Sequence, residues 1–215
     1  MGPIGHSLHV RAVCDVVSNT LREYEQVILS IEQKYLMDQV FTFSNMIALF
    51  FKFFSIFPEV CLMFKKIDED CLKGGQLIDF LYECSLNGDG AIKQFYNDCL
   101  KKCYSIMYNQ TMLWMLHGKI FDIFDEFFIY RIMKNFQKDE EKKQILVSDE
   151  VELESENWDG VFGMRVSMLP KHLVTAKTAE KVLFIGKCIR VFLTFEDLRT
   201  DIFDEATLDV IKSAA

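Results

Sequence analysis

The sequence predicts an all-α fold: elongated antiparallel helical bundles with one acidic disordered insertion and at most a short extended segment. Three observations support this prediction. The 215 residues include only 10 glycines and 3 prolines, about half the usual share of these two chain breakers. Half of the residues are apolar, enough to bury a core. Long stretches repeat apolar residues every three or four positions, the period of a helix with one buried face.

The first helix is predicted from an apolar face that continues for about seven turns. Its residues are Val10, Val13, Val17, Leu21, Tyr24, Ile28, Ile31 and Tyr35. Residues 41–57 follow, with Lys52 as their one charge. A span of this length is at the lower limit for crossing a bilayer, and a lysine at its centre is costly, so we predict a buried core helix. Pro58 is expected to open the next helix, which runs to about residue 72.

The later helices are predicted from glycines and caps. Gly74 and Gly75 end the preceding helix or mark a bend, and a short helix follows from about 76 to 85. The turn at 87–90 supplies an N-cap for a long helix from residue 91, which Gly118 closes. A short helix is predicted over 119–129, an extended segment over 161–169 that ends at Pro170, and a strong helix over 174–194. Gly186 is expected to permit close approach of another helix, and the tail after 194 is amphipathic.

The formal net charge of −8 argues against a protein that neutralises nucleic-acid phosphates or docks on anionic lipid. Residues 139–159 hold nine acids against two lysines, a net charge of −7. Such a block is expected to be a solvated linker, with a dedicated basic partner as the alternative. We therefore divide the chain into a leader at 1–9, an N-terminal helical bundle at 10–135, an acidic linker or insertion at 136–160, and an extended segment with closing helices at 161–215.

Seven cysteines occur at unequal spacings without a Cys-x-x-Cys pair, and no signal peptide is evident, so reduced structural thiols are expected. Cys99 and Cys103 lie one helical turn apart, but the four histidines, His6, His9, His117 and His172, are not spaced to complete a zinc site. No metal and no cofactor are predicted. His117 is interpreted as a packed or capping histidine, with proton transfer as the alternative.

The common nucleotide-binding, zinc-protease and serine-hydrolase motifs are absent from the sequence, so no enzyme is predicted. Asp122, Asp125 and Glu126 would place carboxylates on adjacent turns of the predicted helix at 119–129. A solvated helix face is the expected explanation. The alternative is a helical enzyme or a metal-binding protein that uses these three acids.

Five blocks of sequence, in order, resemble the gamma-tubulin complex component family. The most specific runs from Met107 to Gly118 (MYNQTMLWMLHG), followed by Asp122 and by Asp125-Glu126-Phe127-Phe128-Ile129. The other four are Tyr24 with Ile31-Glu32-Gln33-Lys34, Gly74-Gly75-Gln76-Leu77, Met168-Leu169-Pro170, and the stretch from Ala179 to Lys187. The resemblance covers about residues 11–192 and concerns the N-terminal half of the family's proteins.

This resemblance implies a non-catalytic scaffold subunit, or a fragment of one, that supports microtubule nucleation. Family members stand side by side in a ring, and their N-terminal bundles make lateral contacts with neighbouring components. The family's C-terminal half grips gamma-tubulin, so contact with gamma-tubulin is expected through the complex. No nucleic-acid or membrane partner is expected, and the implied location is the cytoplasm, the cytoskeleton and the microtubule organising centre, centrosome or spindle pole. The motif residues, each expected in the core or at an interface, are Gly75, Gln76, Trp114, His117, Gly118, Glu126, Phe127, Phe128, Pro170, Ala179, Glu180 and Gly186.

Overall fold

The computed structural model describes residues 7–37, 42–86, 88–132 and 161–193. Within these ranges most of the chain is helical, which confirms the predicted all-α class. The helices are α1 (Leu8–Met37), α2 (Phe43–Glu69), α3 (Gly74–Ser85), α4 (Gly90–His117) and α5 (176–193), and the strands are β1 (Ile129–Arg131) and β2 (Phe162–Met164). The acidic block, and with it the predicted disorder, lies outside the described residues, as does the amphipathic tail.

Helix α1 begins at Leu8, two residues before the predicted start of the bundle at residue 10, and Ser7 caps its N-terminus. The hydroxyl oxygen of Ser7 accepts a hydrogen bond from the Val10 N–H at 3.0 Å, and the Ser7 carbonyl accepts one from the Arg11 N–H at 3.1 Å. Serine is favoured at this position because its side chain satisfies a backbone donor that the helix leaves unpaired. The first turns of α1 then bury Val10 and Val13.

Helix α2 is continuous across Pro58, so the prediction that Pro58 opens a separate helix is wrong. A proline inside a helix removes one backbone hydrogen bond and costs about 3 kcal/mol. The buried residues Phe53, Ile56, Met63 and Ile67 follow one face of α2 on both sides of the proline. Packing of this shared face offsets the local cost and keeps the two halves in one helix.

The prediction of a buried core helix over residues 41–57 is also wrong. Among the described residues, α2 alone is long and apolar enough to cross a membrane by length and composition, yet only 17% of its most apolar window is buried. Phe53 is buried and packs with Tyr24 of α1 at 5.2 Å between ring centroids, whereas Phe51 and Phe54 are exposed. The helix therefore has one packed face and one uncovered apolar face.

The predicted caps of α4 are confirmed at both ends. The Asp89 carboxylate accepts a hydrogen bond from the Ala91 N–H at 2.8 Å, as the N-cap prediction requires. At the other end, Gly118 adopts a φ of 58° and its N–H donates to the Trp114 carbonyl at 2.9 Å. Glycine suits this left-handed position because it has no side chain to clash with the backbone.

The short helix predicted at 119–129 is wrong, because this segment is a turn followed by β1. The carboxylate of Asp122 accepts the N–H groups of Glu126 and Phe127, both at 2.9 Å. By accepting these two N–H groups, the Asp122 carboxylate replaces the backbone carbonyls that would accept them in a helix. Asp125 has a φ of 57°, a left-handed conformation that a continuous helix excludes.

Strands β1 and β2 form an antiparallel pair in which Ile129 faces Met164 and Arg131 faces Phe162. The extended segment predicted at 161–169 is thus confirmed at Phe162–Met164, after which a 3₁₀ turn covers Val166–Met168. Sequence patterns did not predict β1. Beyond the pair, the Ile132 N–H donates to the Val161 carbonyl at 2.7 Å, so the two ends that flank the acidic block are joined.

Replacing residues 133–160 with Asn-Gly is expected to raise the free energy of unfolding by roughly 2 kcal/mol, because a two-residue loop costs less closure entropy than the loop it replaces. Ile132 and Val161 already form a hydrogen-bonded pair, the geometry that closes a two-residue hairpin turn. Urea unfolding followed by tryptophan fluorescence measures the change. The deletion removes Trp158, so Trp114 is the probe in the shortened variant. A full-length variant with the block's acids changed to amides is the control, and a loss above about 2 kcal/mol in the deletion alone would show that the block belongs to the fold.

The described chain folds as two compact units. Unit 1 comprises Met1–Asn109, Asp122–Phe128 and Ser167–Thr175, and unit 2 comprises Gln110–Phe121, Ile129–Val166 and Ala176–Ala215. The core of unit 1 is built mainly from α1 to α4, with Leu77, Ile78 and Leu81 of α3 fully buried. Trp114, Ile129 and Ala179 are fully buried in unit 2.

Candidate functional site

The start of α3 is where two distant segments of unit 1 approach the same helix. A Cβ atom at Gly74 would overlap the backbone oxygen of Glu126, and one at Gly75 would overlap the backbone oxygen of Met168 and lie 2.9 Å from the Pro170 nitrogen. Gly74 also has a φ of 48°, which glycine adopts without strain. The two adjacent glycines thus let segments 122–128 and 167–175 pack directly against the helix backbone.

Glu126 belongs to segment 122–128, and its side chain caps the N-terminus of α1. Its Oε2 atom accepts the Leu8 N–H at 2.8 Å and lies 3.2 Å from Nδ1 of His9. Both side chains are buried. Burial alone raises the pKa of the Glu126 carboxyl, but hydrogen bonds from His9, from Ser7 and from the Leu8 N–H outweigh it and hold the pKa below its usual value. A carboxylate at a helix N-terminus is also favoured by the helix dipole.

The three acids singled out in the sequence are not arranged as a catalytic set. Glu126 is buried against α1, which corrects the prediction of a solvated face, and Asp122 holds the turn through its two backbone hydrogen bonds. Asp125 is exposed. Within the described ranges, no group of three or more histidine, cysteine or acidic side chains could hold a metal ion. The geometry gives the enzyme and metal-binding alternatives no support.

A second polar cluster in unit 1 joins α3, α4 and segment 167–175. Nδ1 of His172 lies 2.7 Å from Oδ1 of Asp79, and its Nε2 lies 2.7 Å from the Tyr104 hydroxyl. The Lys171 N–H donates to Oδ2 of Asp79 at 3.1 Å, and the ring of Tyr82 stacks on the imidazole with centroids 4.1 Å apart. We call Asp79, Tyr82, Tyr104 and His172 the histidine clasp. Sequence reasoning missed it, since no local pattern links residues 68 and 93 positions apart.

Replacing His172 with alanine is expected to lower the free energy of unfolding by about 2 kcal/mol, because the change removes two hydrogen bonds and a ring stack. Tyr104→Phe removes one of those hydrogen bonds and is expected to cost about 1 kcal/mol. Urea unfolding measures both. His117→Ala is the matched control, since His117 is exposed on α4. If His172→Ala cost no more than this control, the clasp would not hold segment 167–175.

In unit 2, Trp114 occupies the space left by Gly186. A Cβ at Gly186 would overlap the indole ring, so this glycine makes room for a tryptophan side chain, and the predicted close approach of a helix stays a prediction. The indole N–H donates to the Val182 carbonyl at 3.0 Å, and Phe162 packs on the ring at 4.8 Å between centroids. A buried tryptophan needs such a partner for its N–H.

The remaining motif residues divide between core and surface. Phe127 and Phe128 are buried with ring centroids 4.5 Å apart, and Pro170, Ala179 and Gly118 are buried as well. Gln76 is half-buried, while Glu180 and His117 are exposed. The exposure of His117 makes its packed interpretation wrong, and the capping interpretation stays a prediction.

All seven cysteines are unpaired, and Cys99 and Cys103 are buried, but Cys61 and Cys71 are exposed, so the prediction of buried structural thiols is wrong for these two. Burial raises the pKa of the Cys103 thiol to about 12, and burial raises that of Cys99 too. Thiols held protonated in this way are poor nucleophiles. They therefore serve packing within unit 1.

The outer face of α2 is an exposed apolar feature of unit 1. Five large apolar side chains on this helix are exposed, and Pro58 lies exposed among them. We call this row the α2 stripe: Phe43, Ile47, Phe51, Phe54, Pro58 and Leu62. An exposed apolar row of this kind typically marks an interaction site.

Fold and site together define a helical protein whose distinctive residues serve packing, with one long apolar face uncovered. The family model described as "Gamma tubulin complex component N-terminal" matches residues 3–210. The chain therefore belongs to the gamma-tubulin complex component family.

The chain is similar to several curated members of this family. It is 29% identical over 206 residues to gamma-tubulin complex component 4 of Mus musculus and, separately, of Homo sapiens, in each case covering 87% of this chain and 31% of the relative. It is 25% identical over 124 residues to spindle pole body component 98 of Dictyostelium discoideum, covering 58% of this chain and 13% of the relative. The chain thus spans about a third of the length of the mouse and human proteins.

Proposed function

We propose that this chain acts as a non-catalytic scaffold subunit, or as part of one, in the gamma-tubulin complex. It supports microtubule nucleation through lateral contacts with neighbouring components, in the cytoplasm and at the microtubule organising centre, centrosome or spindle pole. The observation that carries this proposal is the family match over residues 3–210. The similarity to proteins named gamma-tubulin complex component 4 and spindle pole body component 98 supports the complex and the location.

The surface of unit 1 supports the lateral part of the proposal. Side-by-side assembly requires a rigid element that presents an apolar face to a neighbour. The α2 stripe provides such a face, since its side chains are exposed while the opposite side of the helix is anchored by Phe53, Ile56, Met63 and Ile67. Gamma-tubulin is reached through the other components, and nucleic acid and membrane partners are not part of the proposed role.

Association with the complex is tested by expressing the tagged chain in cells that contain gamma-tubulin rings. We expect the chain to co-sediment with other ring components on a sucrose gradient, and purified gamma-tubulin alone not to bind it. The variant Phe51→Glu with Phe54→Glu is expected to lose co-sedimentation, whereas Phe184→Glu with Phe192→Glu, at equally exposed positions on α5, keeps it. Absence of the unaltered chain from every ring fraction would overturn the proposal.

A further inference from the structure

Helix α5 of unit 2 has an apolar side that the described residues leave exposed. We call this set the α5 face: Phe184, Ile185, Phe192 and Cys188. The first three are exposed to 60%, 41% and 69%, and the cysteine is half-buried. At about 100° per residue the set falls within an arc of about 100°, and buried Ala179 and Gly186 lie roughly 160° away. One side of α5 is therefore packed, and the other is open to a further segment.

Helix α5 is basic, whereas the segment that follows it in the sequence is acidic. The helix contains four basic residues against Glu180. Two of them, Lys177 and Lys181, are exposed and lie within the same arc as the α5 face. Residues 194–215, which we call the tail, contain six acids against two basic residues. Opposite charges of this kind favour contact between two surfaces.

The tail has the sequence pattern of an amphipathic helix. It contains no glycine or proline. At about 100° per residue, six of its apolar residues fall within an arc of about 140°. These residues are Phe195, Leu198, Ile202, Phe203, Ala206 and Val210. Leu208 and Ile211 lie on the other side. A helix of this kind is stabilised mainly by covering its apolar side, and the α5 face directly precedes it in the chain.

The length of the tail matches the length of α5. The helix over 176–193 has 18 residues and extends about 27 Å, and 22 residues follow it. Antiparallel helices are commonly joined by about 2–5 residues. With such a loop, Leu198 lies opposite Phe192 and Ile202 lies opposite Cys188. The apolar side of the tail then covers the α5 face from its C-terminal end onward.

Two charged residues fall within the apolar arc of the tail, and the antiparallel return gives each of them a favourable neighbour. Asp209 lies opposite Lys181, so an acid meets a base at the far end of the pair. Arg199 lies beside the last turn of α5, where the helix dipole favours a positive charge. The positions of these charges therefore agree with the register that the loop length sets.

We propose that the tail folds back as an antiparallel helix and covers the α5 face. This face fits an acidic amphipathic helix, and the chain itself supplies one. The inference goes beyond the proposed function, because the α5 face belongs to unit 2 and the α2 stripe to unit 1. Phe184→Glu with Phe192→Glu is expected to release the tail while keeping co-sedimentation with ring components. Either proposal can therefore fail while the other stands.

The first test measures the rate at which maleimide alkylates Cys188 in the purified 215-residue chain. Leu198→Asp with Ile202→Asp is expected to raise this rate at least about tenfold, because the apolar contacts that hold the tail on α5 are lost. Leu208→Asp with Ile211→Asp is the matched control. It makes the same two changes on the other side of the tail and is expected to leave the rate unchanged.

Peptide mass spectrometry separates Cys188 from the exposed thiols of Cys61 and Cys71, whose rates serve as internal references. Thermal melting verifies that both variants keep a folded core. Equal rates at Cys188 in the two variants, or a rate in Leu198→Asp with Ile202→Asp that equals that of the unaltered chain, would overturn the proposal.

The antiparallel register is tested with Ile202→Cys in a chain whose exposed Cys61 and Cys71 are replaced by serine. A disulfide requires Cα atoms within about 7 Å, so oxidation with diamide is expected to join the introduced thiol to Cys188 within one molecule of 25.1 kDa. Leu208→Cys is the matched control and is expected not to form this bond. Equal yields for the two variants, or a bond formed only between molecules, would overturn the antiparallel return.

Discussion

Replacing Glu126 with alanine is expected to lower the free energy of unfolding by about 2–6 kcal/mol, because two hydrogen-bond partners lose their acceptor at roughly 1–3 kcal/mol each. The change removes the acceptor of the Leu8 N–H and the partner of the buried His9 imidazole. It also leaves the first turn of α1 without its distant cap. Urea unfolding monitored by circular dichroism measures the loss. Glu180→Ala, at an exposed position on α5, is the control and is expected to stay within about 0.5 kcal/mol of the unaltered chain.

The contribution of Glu126 is expected to depend on pH in a definite direction. Its pKa is lower in the folded chain than in the unfolded one, so the unfolded state binds more protons in the interval between the two values. The stabilisation is therefore complete above the unfolded pKa, about 4.3, and is lost as the pH falls through the folded pKa. In the variant Glu126→Gln, the side chain at this position cannot titrate. Its stability difference from the unaltered chain is expected to shrink below about pH 4.3, and a difference independent of pH would contradict the assigned hydrogen bonds.

Local signals in the sequence were enough for the helices and their caps. The apolar period, together with the flanking glycines and caps, predicted α1, α3, α4 and α5, and the caps at Asp89 and Gly118 lie where they were expected. The errors occurred where side chains outside the local pattern decide the structure. Asp122 replaces helical hydrogen bonds in the turn before β1, and the buried face of α2 continues across Pro58.

The candidate site could be predicted only as a set of residues without partners. Family resemblance singled out Gly75, Glu126, Trp114 and Gly186, and each occupies a close contact in the fold. What each one contacts depends on segments brought together by the whole chain: Glu126 pairs with His9 across 117 positions, and Asp79 with His172 across 93. Such pairings leave no periodic trace in the sequence, because either partner alone is compatible with a solvent-exposed position.

The second large effect is expected at Gly75, where alanine should lower the free energy of unfolding by about 3 kcal/mol. The added Cβ would overlap the backbone of Met168 and approach the Pro170 nitrogen, and backbone atoms cannot move aside by rotating a side chain. Gly90 is the matched control, because it also lies in the first turn of a helix, with no atom within 4 Å of its would-be Cβ. Gly90→Ala is expected to be neutral or to stabilise by up to about 1 kcal/mol.

The difference in the free energy of unfolding between Gly75→Ala and Gly90→Ala measures the close packing of segment 167–175 on α3. Neither glycine adopts a left-handed backbone, so the entropy that alanine removes from the unfolded chain is similar at both positions. His172 of the histidine clasp belongs to the segment that Gly75 contacts, and neighbouring sites that share a partner are not additive. The double variant of Gly75→Ala with His172→Ala is therefore expected to lose less stability than the sum of the single losses. Full additivity would mean that alanine at Gly75 acts on some part of unit 1 other than segment 167–175.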